Sequence, residues 1–344
     1  MKRILIALAV FLSVQIADAQ VKSPEDARKA VESAAEATAN PKKAAKVATW
    51  LKLANAYMDA YNSPAGAGWR GANRQELQLV LGSDKPSATQ QVTLLGTPYI
   101  KEVFETRNYY YTQDGMLDII EITKPVYEDA LAQALDAYRK AYEVDIKGSK
   151  TKDIAAGIQI IEGKYLEEGI AQYLFGNNEL ASEKFEAAAN ASETAPCSQV
   201  DSMAVYNAGF TAELCGDYER SAKFFKKAIE ISYTEDGEAY AKLANAYLNL
   251  KDTLASKTVL EEGFTKYPES QSILIGLINY YIGSGENPEQ LFALLDKAKQ
   301  NEPNNASLYY VEGDIHNKLG HKEQAIAAYR KSSEINPEYE FGYI

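Results

Sequence analysis

The hexapeptide KLANAY is spelled twice, as Lys52–Tyr57 and again as Lys242–Tyr247. The second copy sits in a longer pattern: Tyr240, Leu243, Ala244 and Tyr247, then Ser256, Leu260, Gly263 and Pro268. Apolar and small residues recur at helical spacing, break at Lys251-Asp252, and resume until Pro268. This predicts two short amphipathic helices joined by a tight turn. The same spacing holds Tyr165, Gly169, Gly176, Ala181, Phe185 and Ala188. It holds Gly209, Gly216-Asp217-Tyr218, Ser221, Phe225 and Ala228. It returns as Leu277, Tyr281, Leu291, Leu295, Ala298 and Pro303, and as Tyr309, Gly313, Gly320, Ala325, Tyr329 and Pro337.

The pattern resembles the tetratricopeptide repeat (TPR), W-x2-L-G-x2-Y followed by A-x3-F and then P, in about 34 residues. It departs from that family at His316, where a Tyr is usual, and at Ser332, where an Ala is usual. The resemblance implies an all-α fold, a TPR α-solenoid in which helix-turn-helix units stack as a right-handed superhelix. Five units are expected at 162–195, 202–235, 237–270, 271–304 and 306–339. Packing explains the pattern. Gly169, Gly209, Ala244 and Gly313 let the two helices of a hairpin approach, and Tyr247, Phe225 and Tyr329 fill the space between hairpins. Pro268, Pro303 and Pro337 stop the second helices. One hairpin cannot bury its own apolar face, so neighbours must stack.

The first KLANAY, preceded by Trp50, starts a unit that does not close. Asn62-Ser63-Pro64-Ala65-Gly66-Ala67-Gly68 follows, a loop composition, and a matching second helix arrives only at Ala134, Tyr138 and Ala141. The expected organisation is therefore a split first unit over 47–146, interrupted at about 62–126 by a small helix-plus-β-hairpin insertion. Arg74–Leu81 reads as a helix capped by Asn73. Lys101–Thr106, Tyr109–Thr112 and Met116–Thr123 read as strands, with Gln113-Asp114-Gly115 as a turn. A hairpin alone is marginal in water, so the insertion must pack on the helical array. A leader or capping helix is expected over 20–46, a linker helix over 147–161, and the start of a further helix over 340–344.

The N-terminal stretch has the character of a targeting segment. Lys2-Arg3 precedes the apolar run Ile4–Leu12, and Ala17-Asp18-Ala19 precedes Gln20. This predicts a signal peptide over 1–19, cleaved after Ala19, and an exported protein, periplasmic or outer-membrane-associated. No later stretch is apolar for long enough to span a bilayer. The formal net charge of −12 argues against nucleic acid as a partner.

Chemistry has few footholds. No phosphate loop, G-x-S-x-G or H-E-x-x-H occurs. His316 and His321, five apart, do not share a helix face well enough for a metal pair. Cys197 and Cys215 flank one helix, too far apart for a disulfide, and are expected as free, largely buried thiols. No cofactor, metal or catalytic residue is expected. The reading is a non-catalytic protein–protein interaction scaffold of the bacterial cell envelope, binding a peptide or a partner helix. Transferred by position, the family's inner face carries Leu51, Asn55, Met58, Leu166, Ile170, Tyr173, Tyr206, Phe210, Glu213, Asn245, Leu248, Ile275, Asn279, Tyr310, Asp314 and Asn317, with Lys318 its one lysine. Aromatics would anchor the ligand and Asn residues hold its backbone. Alternatives are a periplasmic chaperone or carrier for unfolded or outer-membrane clients, and an accessory module binding glycan on Tyr109, Tyr110 and Tyr111.

Overall fold

The computed structural model describes residues 22–284 and 289–337. The expected signal segment at 1–19 and the helix expected from 340 onward lie outside the described residues. The chain divides into two compact units between Ala204 and Val205.

The first unit opens with α1 (Pro24–Thr38), α2 (Pro41–Ala44) and α3 (Val47–Asn62). Ser23 caps α1 by accepting from the Asp26 N–H, with Pro24 in the first turn, where no donor is lost. Ala27, Val31 and Ala34 bury the face of α1 turned to α3. After a short 3-10 turn come α4 (Arg74–Leu81), then β1 (Ala88–Leu94), β2 (Thr97–Val103), β3 (Arg107–Tyr111) and β4 (Leu117–Ile122). The strands form one antiparallel meander in the order β1-β2-β3-β4. The insertion is thus a helix and a four-stranded sheet, larger than the hairpin expected. The missed strand, β1, is polar along most of its length and turns into β2 through Leu95 and Gly96, both at positive φ.

α5 (Ala130–Val144) packs on α3 and completes the split hairpin, while α6 (Thr151–Leu174) pairs with α7 (Asn178–Ser192). The linker expected over 147–161 and the first helix expected from 162 are one continuous helix. A side chain at Gly157 would collide with the ring of Tyr138 on α5, and one at Gly169 would fall 2.8 Å from Phe185 on α7.

The sheet is covered on both faces. Leu77 of α4 joins Ala72, Phe104, Tyr109, Tyr111 and Leu117 in one core. On the opposite face Tyr99, Tyr110 and Ile119 pack with Ala171, Leu174 and Phe175 at the end of α6. Tyr110 and Phe175 lie 5.2 Å apart between ring centres. All three tyrosines of β3 are therefore buried, and the glycan-stacking surface expected of them does not exist. The Tyr109 hydroxyl donates to the Ala65 carbonyl and accepts from the Gly68 N–H, tying the loop after α3 to the sheet.

α8 (Ser202–Cys215) crosses the division. The second unit continues with α9 (Tyr218–Glu230), α10 (Glu238–Asn249), α11 (Thr253–Lys266), α12 (Gln271–Ser284), α13 (Glu289–Asn301), α14 (Ala306–Lys318) and α15 (Lys322–Ile335). These are helix hairpins of the expected type. α10 and α12 lie side by side, as do α12 and α14. Tyr240, Leu260, Phe264, Ile273, Leu274, Leu277, Leu291, Leu295, Leu308 and Val311 form the core between them. The close approach predicted at Gly209 and Gly313 is observed: added Cβ atoms would stand 3.1 Å from Phe224 and 2.5 Å from Tyr329.

Four of the described hairpin turns repeat one geometry. The N–H of the second helix's cap reaches back five residues to a carbonyl of the first: Asn177 to Gln172, Asp217 to Ala212, Asp252 to Tyr247 and His321 to His316, at 2.8–3.0 Å. This six-residue closure needs a left-handed residue just before the cap. Gly176, Gly216 and Gly320 supply it, and Lys251 adopts it at φ 66° without being glycine.

Candidate functional site

The residues singled out by position divide between the two units. Leu166, Ile170 and Tyr173 lie half-buried along α6 in the first. They are neighbours in sequence of Ala171, Leu174 and Phe175, on which the sheet rests. Burial raises the Tyr173 hydroxyl above its ordinary value.

In the second unit the face of α8 and α10 is a network. Glu213 accepts from Lys242 Nζ at 2.8 Å and from Asn245 Nδ2 at 2.9 Å. Lys242 Nζ also stands 5.3 Å above the Phe210 ring, so one ammonium serves a carboxylate and an aromatic face together. The Lys242–Glu213 pair is largely withdrawn from water, with side-chain exposures of 14% and 17%. Asn245 is exposed beyond this bond. The inner-face lysine that sequence reasoning missed is thus Lys242, the first letter of the second KLANAY. Its signal was the repeat register itself, three residues before Asn245.

Tyr206 does not stand free in this face. Its ring meets Phe225 and Tyr233 edge-on, at 5.3 and 5.7 Å between centres. Burial, reinforced by Glu238, pushes its hydroxyl far above the ordinary tyrosine value. Tyr206 is therefore mainly a packing residue, and Phe210 packs against the same core. Asn279 is exposed on α12, as is Ile275 one turn before it. On α14, Tyr310 is half-buried against Tyr329 at 5.4 Å, and Asp314 accepts from the Tyr329 hydroxyl at 2.7 Å.

The first KLANAY does a different job with the same letters. Asn55 accepts from the Tyr138 hydroxyl at 2.9 Å. Leu51, Lys52 and Asn55 line an open cavity of ≈ 450 Å³ together with Lys22, Asp59 and Lys150. Lys22 is bound to Asp59 at 2.6 Å.

Two arrangements were not visible in the spacing. Glu162 of α6 and Asp201, ahead of α8, share a hydrogen bond, and burial together with the Asp201 charge pushes Glu162 up to about 7. Asp201 also accepts from the Ala204 N–H, a capping role. Cys197 is half-buried nearby, its thiol raised by burial and by Glu162, whereas Cys215 is exposed. Both are free thiols, as expected, but neither is deeply buried. The second arrangement is His316 and His321, whose Nδ1 atoms approach to 3.5 Å. The helix-face argument against such a pair fails because the hairpin turn, not a helix, separates them. Among the described residues no cluster of three or more His, Cys, Asp or Glu is placed to hold a metal ion. No helix there is long and apolar enough to cross a membrane.

The tetratricopeptide repeat profile matches residues 204–234, 237–265 and 306–339. No curated protein matches the chain. Among solved structures, YrrB, described as a TPR protein with an unusual peptide-binding site, is similar at 16% identity with a TM-score of 0.34. That match covers 60% of this chain and 96% of YrrB. MamA is similar at 18% identity and a TM-score of 0.37, covering 52% of this chain and 95% of its own. MamA from residue 41 to its end, from Desulfovibrio magneticus RS-1, gives 18% identity and 0.36 over 52% and 97%. The chain carries tetratricopeptide repeats, three of them at 204–234, 237–265 and 306–339.

Proposed function

We propose that this protein is a non-catalytic interaction scaffold of the bacterial cell envelope, exported by a leader over 1–19, and that it holds an extended peptide or partner helix along the first-helix face of its second unit. The observation that carries this reading is the strip on α10 and α12. Asn245 and Asn279 are exposed on these adjacent helices, beside the exposed apolar side chains Leu248 and Ile275. Exposed amides can satisfy a peptide backbone, and apolar side chains between them can take its side chains. Tyr206, Phe210, Tyr310 and Asp314 are engaged in packing and hydrogen bonds rather than offering free surface, and Leu166, Ile170 and Tyr173 belong to the first unit.

The test is site-specific photocrosslinking in cells. A photoreactive residue at Asn245, Ile275 or Asn279 is expected to yield discrete adducts, and one at the exposed second-helix positions Lys226 or Thr258 is not. Equal yields from both sets would remove the first-helix face as the docking site. A carrier for unfolded clients would use the same Leu248–Ile275 surface. It is distinguished by suppressing aggregation of several unrelated proteins, where a scaffold leaves them unaffected.

A further inference from the structure

His316 and His321 occupy defined places in the repeat. His316 is the residue whose carbonyl closes the hairpin turn, and His321 is the cap that donates to it at 2.8 Å. One equivalent turn shows that this closure can bring the two side chains together, where the cap side chain does not bond the helix backbone instead. In the α6–α7 turn they are Gln172 and Asn177, and Asn177 Nδ2 donates to Gln172 Oε1 at 2.9 Å. The α14–α15 turn puts an imidazole at both positions.

The rings are held, not merely near. His316 stacks on Phe292 of α13, with centres 4.6 Å apart and planes 27° apart. His321 is the cap of α15 but makes no side-chain capping bond, in contrast to Asp217 and Asp252, which do. Its ring is directed instead at His316, with centres 5.7 Å apart. The two Nδ1 atoms stand 3.5 Å apart. An imidazole nitrogen binds zinc at about 2.0–2.1 Å, and a tetrahedral angle at the metal then separates two such nitrogens by about 3.4 Å. The observed gap is within reach of an N–H···N hydrogen bond when one ring carries its proton there, and it is also close to the span that a single tetrahedral ion would bridge.

We propose that His316 and His321 form a two-imidazole site for a divalent transition-metal ion of the zinc, copper or nickel class, bound through both Nδ1 atoms. Nitrogen donors select these ions over magnesium and calcium. His321 is exposed, so the outer side of the site is open to water or to a donor from another molecule. Among the described residues no third His, Cys, Asp or Glu completes it. The site belongs to an open class, able to bridge to a partner's ligand, rather than to a closed structural zinc.

The experiment is calorimetric titration of the untagged, metal-stripped protein with Zn²⁺ and Cu²⁺, carrying Cys197→Ser and Cys215→Ser so that thiolates do not compete. One equivalent is expected to bind. His321→Ala, at an exposed cap, should weaken it by at least the roughly tenfold typical of losing even an outer-shell partner. His316→Phe, which keeps a ring on Phe292, should do the same. Electron paramagnetic resonance of the Cu²⁺ form should show two nitrogen donors, falling to one in either variant. Binding that is unchanged in both single variants, or a copper signal with no nitrogen coupling, would overturn the assignment. Far-ultraviolet circular dichroism confirms that the variants remain folded.

Discussion

Gly157 lies in α6 where that helix crosses Tyr138 of α5, and Gly157→Ala is the most direct test of how closely they pack. A Cβ there would fall inside the Tyr138 ring, against its Cζ, Oη and Cε1 atoms. The ring cannot easily step aside. Tyr138 is buried, and its hydroxyl is anchored to Asn55 on α3. Two effects oppose each other. Alanine in a helix interior is favoured over glycine by about 1 kcal/mol. Overpacking a tight site costs about 1–3 kcal/mol, and losing the Tyr138–Asn55 hydrogen bond adds about 1 kcal/mol. The steric side wins, leaving a net loss of about 1–3 kcal/mol. For a unit of this size each kcal/mol lowers Tm by about 2–4 °C, so thermal unfolding followed at 222 nm should shift down by roughly 2–12 °C. The sign is checked by a cycle. In a Tyr138→Ala background the collision is gone, and Gly157→Ala should then stabilise. If Gly157→Ala is neutral or stabilising with Tyr138 present, the close approach of α5 and α6 is wrong.

Phe175→Ala removes the seat of the sheet on α6. Truncating a fully buried Phe to Ala costs about 3–5 kcal/mol; Phe175 is half-buried, so about 2 kcal/mol is expected, with up to about 1 more from its pairing with Tyr110. Urea unfolding measures it, and a loss below roughly 0.5 kcal/mol would mean that the sheet does not rest there. Glu162→Gln tests the half-buried carboxyl pair. Glu162 is held at about 7, above its ordinary 4.5, so the folded protein binds the proton more tightly than the unfolded chain. Its contribution is complete below pH 4.5 and declines as pH rises through 7, because a charge must then be kept beside Asp201. The variant should lose that part of the pH dependence and be the more stable protein above pH 7, by on the order of 1 kcal/mol after discounting for partial exposure. A wild type whose stability relative to the variant does not change between pH 5 and 8 would contradict this.

What could be read from the sequence was what repeats or caps itself locally. The hairpins follow from small residues at fixed spacing, and α4 is bounded by Asn73, which accepts from the Gln75 N–H. The split first hairpin was legible because Trp50 to Tyr57 demands a second helix that Ala134 to Ala141 supplies. What depended on long-range contact was not legible. β3 reads Arg-Asn-Tyr-Tyr-Tyr, and no pattern within those residues says that both faces are covered. That required α4 on one side and the end of α6 on the other. Likewise, Lys242 reads as a surface lysine until Glu213 and Phe210 come up from the neighbouring helix. The His pair was hidden for the opposite reason. His316 and His321 escape a straight-helix rule because the turn folds the second residue back onto the first.

The interrupted hairpin bears on the order in which the first unit assembles. The other described hairpin turns close over a few residues, but α3 and α5 must find each other across everything between Asn62 and Ala130. Closing a loop of about 65 residues rather than about 4 costs roughly 2.5 kcal/mol more in chain entropy. The antiparallel meander contains only neighbouring-strand pairings, and its loop anchors, Tyr109 to Ala65 and Gly68, lie at its own base. If the meander forms first, it draws the ends of α3 and α5 together and most of that cost has already been met. The inserted sheet would then act as a folding clasp, and residues that stabilise it, Tyr109 foremost, would set the rate at which the α3–α5 hairpin forms.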